Sequence, residues 1–131
     1  MKFEDNWQFK TLENLEKEVW PKVDFNSHLV TQTSKLRKVP LNEFSIEDLR
    51  IMIGQNFGLP YLVPLAIDRL KENVLAEGDL YAGDLLVTVT SVHRQFWMEH
   101  PDYKKQLRKI ISDNLSLILN DKLEVGDGFL E

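Results

Sequence analysis

The densest apolar stretch of the chain runs from Leu59 to Ile67, with no charged or amide side chain inside it. A helix that shows no polar face has to be enclosed by the rest of the protein. The run is too short, and too interrupted by Pro60 and Pro64, to cross a bilayer, which takes about 20 apolar residues. It therefore predicts the central helix of a soluble domain, loose from Pro60, regular by Pro64 and ending at Lys71. Upstream, Thr11 can cap a helix with Leu12, Leu15 and Val19 on one face, stopped at Trp20-Pro21. Asn26 or Ser27 can cap a second, with Leu29, Thr33 and Leu36 in a stripe. Lys35, Arg37 and Lys38 gather at its far end, where the helix dipole favours positive charge. After Pro40, Ser45-Ile46-Glu47-Asp48 has the form of a capping box, and Phe44 and Leu49 have the spacing of a hydrophobic staple. That helix turns Leu49, Met52 and Ile53 inward. It ends in Gly54 to Gly58, where glycine most easily takes the left-handed cap.

Beyond the central helix, residues 72–84 read as loop, with Gly78 and Gly83 as turn points. Val87 to Thr90 alternates and is β-branched, as in a strand. Leu85, Val89, Val92 and Phe96 nevertheless form a helical stripe that continues through Trp97, and the longer pattern predicts helix. Pro101 opens the last helix, with Tyr103, Leu107, Ile110, Ile111 and Ile118 inward and Lys104, Lys105, Arg108 and Lys109 toward water. Trp20, Phe96 and Trp97 fit a core better than a partner surface. Residues 1–10 and 121–131 read as loosely held ends. The pattern as a whole predicts an all-α fold: a single compact domain over residues 1–131, with about six helices around a buried central one.

Composition narrows the functional classes. A chain of 131 residues supports one hydrophobic core. It has no cysteine, which excludes disulfides, thiolate metal sites and a cysteine nucleophile. The formal net charge of −5 argues against nucleic acid as the main partner, because phosphate binding needs a basic surface. The same balance leaves room for a basic protein partner. The N-terminal MKFEDNWQFK has no apolar core of a secretory signal, so a cytoplasmic location is expected.

Catalytic patterns are missing from the sequence. It contains neither a G-x-S-x-G elbow nor an H-E-x-x-H pair. Gly54 and Gly58 lack the Gly-Lys-Ser/Thr that would make a phosphate loop, and read as a helix end. His93 and His100 lie two turns apart, about 10.5 Å along one helix, too far to share a zinc ion. They read as capping or packing residues, and the expectation is no metal and no cofactor. Glu77, Asp79 and Asp84 could supply paired carboxylates for acid–base work, or Asp79 and Asp84 could act with a histidine, but only if the groups converge in one pocket. As a binding surface the stretch says more. From Glu72 to His93 there is no lysine or arginine, while Glu72, Glu77, Asp79 and Asp84 all lie there beside Tyr81. These five residues are the candidate docking site for a cationic partner, with Asp84 equally suited to capping the helix after Gly83.

The stretch from Leu49 to Leu86 also resembles the immunity proteins of bacterial contact-dependent growth inhibition (CDI) systems. The matching residues are Leu49-Arg50, Ile53-Gly54-Gln55, Gly58-Leu59, Tyr61 through Ala66, Leu70, Asn73, Leu75, Gly78 and Tyr81 through Leu86. Leu12-Glu13, Leu15-Glu16, Trp20, Leu36-Arg37 and Pro40-Leu41 extend the similarity upstream, to roughly residues 11–100. It departs at Val74 and Ala82, where the family often has proline. The resemblance implies a cytoplasmic, non-enzymatic protein. Such a protein binds and neutralises the C-terminal toxin domain of a large effector delivered by neighbouring cells, often a nuclease. It implies no nucleic acid, membrane or small-molecule partner. The matched residues are mainly apolar or glycine, so toxin contacts are expected at exposed positions beside them. The alternative reading is a helical adaptor for an unrelated protein.

Overall fold

A computed structural model of the chain describes residues 3, 5–20, 28–126 and 129. Among these, eight α-helices and two single 3₁₀ turns make up the regular structure, and β pairing is limited to one isolated bridge. The fold is all-α, as the hydrophobic pattern predicts. No helix among the described residues is long and apolar enough to cross a membrane. The chain divides into two units, Met1–Phe44 and Ser45–Glu131.

In the first unit, α1 (Leu12–Glu16) starts at the expected cap. The Thr11 hydroxyl accepts the Asn14 N–H at 3.2 Å, and the Asn14 amide oxygen accepts the Thr11 N–H at 3.4 Å. The helix stops sooner than Trp20-Pro21 suggests, because Lys17 takes the left-handed conformation at φ 55°. Val19 consequently leaves the Leu12 face and is 71% exposed. Helix α2 (His28–Leu36) follows; Pro21, Asn26 and Ser27 lie outside the described residues. Thr33 and Leu36 are buried, whereas Leu29, expected in the same stripe, is exposed. Arg37 is not a solvated helix-end charge. It is 2% exposed, pairs with Glu16, donates to the Glu18 carbonyl at 2.8 Å and lies 4.4 Å from the centre of the Trp20 ring. The 3₁₀ turns Trp7–Phe9 and Leu41–Glu43 lie against each other, joined by the Leu41 N–H donating to the Lys10 carbonyl at 3.0 Å.

The second unit opens with α3 (Ile46–Gly54), capped as expected. Ser45 Oγ accepts the Asp48 N–H at 3.1 Å, and the Asp48 carboxylate accepts the Ser45 N–H at 3.0 Å. Within the expected Gly54 to Gly58 segment, Asn56 makes the left-handed turn that ends the helix, at φ 64°, and Gly58 is left-handed as well, at φ 61°. The Asn56 and Phe57 N–H groups then return to the Ile53 and Met52 carbonyls at 2.9 and 3.0 Å. Helix α4 (Leu59–Glu72) is regular from Leu59, earlier than expected, with Pro60 in the first turn and Pro64 inside the helix. Proline at 64 forfeits one bond, to the carbonyl of residue 60. Leu59, Leu62, Val63, Ala66, Ile67 and Leu70 are buried, but Pro60, Tyr61, Pro64 and Leu65 are only half-buried. The central helix is thus enclosed on one side, packed against α3 and α7, and its other side is partly open.

Two expected helices are each divided, which raises the count from about six to eight. The 84–99 stripe becomes α5 (Asp84–Thr90) and α6 (Arg94–Glu99). At the break, the Thr90 and Ser91 hydroxyls donate back to the Leu86 and Val87 carbonyls at 3.0 and 2.7 Å, and His93 Nδ1 caps α6 by accepting the Phe96 N–H at 3.2 Å. The last helix becomes α7 (Pro101–Asp113) and α8 (Leu115–Asn120), where the Asn114 side-chain amide donates to the Ile110 carbonyl at 2.8 Å. Leu85, Val89, Val92, Phe96, Trp97, Leu107, Ile110, Ile111 and Ile118 are all buried, as the periodicity predicts. Tyr103 is half-buried, stacked on His100 at 5.3 Å, and desolvation pushes its phenol pKa up. Part of the tail is tied down. The Gly126 N–H donates to Thr90 Oγ1 at 2.9 Å, and Phe129 is buried against Trp97 at 5.3 Å between ring centres. Lys104, expected in water, is half-buried with its Nζ 5.8 Å from the centre of that phenylalanine ring.

Candidate functional site

The acidic loop predicted between the central helix and Gly83 is present, and it has a defined shape. It leaves α4 at Asn73, whose side-chain oxygen accepts the Leu75 N–H at 3.0 Å. It closes where the Gly83 N–H reaches the Leu75 carbonyl at 3.1 Å and Glu77 and Ala82 form their bridge. A backbone this short of regular structure needs other acceptors for its N–H groups. Two carboxylates supply them. Asp84 accepts from Gly78 at 2.7 Å and from Leu80 at 3.0 Å, with Tyr81 further off at 3.4 Å. Glu47, from the first turn of α3, accepts from Asp79 at 2.8 Å.

Arg50 balances this charge. Its Nε and Nη2 donate to the two Glu47 oxygens at 2.7 and 2.5 Å, the bidentate geometry that suits guanidinium and carboxylate. The same Nε lies 3.8 Å from Asp84. Side-chain exposure is 20% for Arg50, 15% for Glu47 and 1% for Asp84, so the clasp is largely withdrawn from water. The hydrogen bond from Arg50 is the main cause that holds the Glu47 carboxyl below its ordinary value, against the opposing effect of burial. The same bond raises the Arg50 pKa. Gly78 fits because it has no side chain: a Cβ there would stand 2.5 Å from Glu47 Oε1 and 3.1 Å from Asp84 Oδ2.

The structure treats the five expected docking residues differently. Glu77, Asp79 and Tyr81 are exposed on the clasped loop, Tyr81 by 45%. Glu72 is exposed at the last position of α4, outside the clasp. Asp84 is neither a surface acid nor the N-cap of α5, a position held by Gly83; its carboxylate faces the loop backbone. Three features escaped the sequence reading. Glu47 and Arg50 appeared there only as parts of a helix start and of a matched motif. Leu80, 63% exposed between the two turn glycines, was passed over, although an apolar residue inside Gly-Asp-Leu-Tyr is itself a signal. The third is a shallow groove of about 510 Å³ beside the loop, where Tyr81 and Val87 meet Leu123, with Asp121 and Glu124 also in its lining.

Comparison with known proteins places this architecture. A family model described as CDI immunity proteins matches residues 14–107, most of the chain. The chain belongs to this family, as the motifs from Leu49 to Leu86 suggested. No curated protein and no solved structure matches it.

Proposed function

We propose that this protein binds and neutralises the C-terminal toxin domain of its cognate CDI effector, in the cytoplasm and without catalysis of its own. The observation that carries the reading, beyond the family, is an exposed acidic loop whose backbone is already fixed. Glu72, Glu77, Asp79 and Tyr81 form part of the toxin-facing surface, and Asp84 serves it from behind by shaping the loop. The toxin is a nuclease with a basic groove. The carboxylates stand where substrate phosphates would lie, and occlusion is both steric and electrostatic. Asp121 and Glu124, with Lys122 between them, line the groove at Tyr81 and add one net negative charge beside the loop.

The test is association with the toxin domain of the neighbouring effector gene, combined with rescue of cells expressing that domain. The triple variant Glu72→Gln, Glu77→Gln, Asp79→Asn should associate about tenfold more slowly at low salt and lose most of its salt dependence. Unchanged association kinetics would move the interface away from this loop.

A further inference from the structure

The clasp does more than tidy a loop. Side chains exposed singly on a surface are ordinary, and Leu80 would merit no comment on exposure alone. What distinguishes it is the backbone beneath it. The Leu80 N–H is bonded to Asp84, and the preceding two N–H groups to Glu47 and Asp84. A leucine that is 63% exposed is therefore held out on a backbone tied to largely buried carboxylates. Two exposed acids, Glu77 and Asp79, stand before it in the chain, and the exposed Tyr81 follows it.

We propose that Leu80 is the apolar anchor of the interface and determines partner specificity, and that Glu47, Arg50 and Asp84 are positioning residues that present it. The partner surface that fits is an apolar pocket rimmed by lysine or arginine side chains. Leu80 enters the pocket, and Glu77 and Asp79 meet the rim. Glu47, Arg50 and Asp84 build the frame, and Glu77, Asp79 and Leu80 make the contact. Because the loop is ordered before contact, little conformational freedom remains to be lost on binding. The inference rests on the function proposed above and names the contact within it.

Three variants test it, measured against the same toxin domain. Leu80→Asp changes an exposed side chain, so the melting temperature should stay within a degree or two. Binding should weaken about 100-fold, mainly through faster dissociation, as expected for a desolvated anchor. Leu80→Met should keep affinity within about threefold. Arg50→Lys cannot make the bidentate contact. It should raise the exchange of the Gly78, Asp79 and Leu80 amides in the free protein and lower the association rate about fivefold, as the competent loop becomes less populated. A Leu80→Asp variant that binds within twofold of wild type overturns the anchor. If the acidic triple variant still loses its salt dependence in that case, the proposed interface stands and only the anchor fails. If both are without effect, the interface itself lies elsewhere. Faster loop exchange in Arg50→Lys with unchanged association overturns the positioning role.

Discussion

Arg37 and Arg50 both lie in the stretch matched by the family model, and each pairs with a carboxylate beside irregular backbone. They do so in different settings. Arg37, in the first unit, is 2% exposed, and its partners are Glu16, the Glu18 carbonyl and the Trp20 ring. Arg50, in the second unit, is 20% exposed, and its clasp supports a loop whose other side is open to solvent. The first arginine closes a piece of structure in on itself. The second holds a surface outward. Taking the partners from an arginine that has given up nearly all its water is costly, whereas the more exposed Arg50 can yield at lower cost.

Removing each side chain gives the largest test of that contrast. Arg37→Ala strands Glu16 and opens a cavity under Trp20, and should cost about 3 kcal/mol in urea denaturation. Arg50→Ala should cost about 1 kcal/mol, its effect concentrated in the loop. Equal losses would erase the distinction. A smaller effect sharpens the second clasp alone. Asp84→Ala leaves the Gly78 and Leu80 N–H groups without their acceptor and should cost about 2 kcal/mol, while Asp84→Asn, which keeps one acceptor oxygen, should cost about half of that. The smallest effect is in pH. The Glu47 pKa is lower in the folded protein than its ordinary 4.5. Its contribution is therefore complete above pH 4.5 and is lost as the pH falls through the lower folded value. Arg50, with its pKa raised, stays charged throughout. Protection of the Asp79 amide, corrected for intrinsic exchange, should fall on acidification below pH 4.5, and Glu47→Gln should remove that dependence.

Much of this molecule was legible as pattern. The caps at Thr11 and Ser45 were readable because capping is a contest between groups three residues apart. The buried positions of α5 to α8 were readable because helical periodicity marks one face wherever the helix packs. Element ends were less so. Lys17 makes a left-handed turn where the helix was expected to run on to Trp20, Asn56 makes one at the end where glycine was expected to, and two hydroxyl side chains at Thr90 and Ser91 divide a helix whose apolar stripe runs straight through. These are small local preferences, settled by what the flanking residues gain from packing.

By itself, then, the sequence determined the all-α class, most of the core, the acidic loop and, through its motifs, the family. Only the tertiary structure decided what each charge does. Asp84 and Asp79 are the same residue type five positions apart, yet one is buried and the other exposed. Arg37 and Lys38 are adjacent cations with opposite exposures. The reason is physical. A charged side chain has no fixed preference that periodicity can reveal. Its place depends on whether a partner lies within hydrogen-bonding reach, and for the Asp79 amide that partner is Glu47, 32 residues away along the chain.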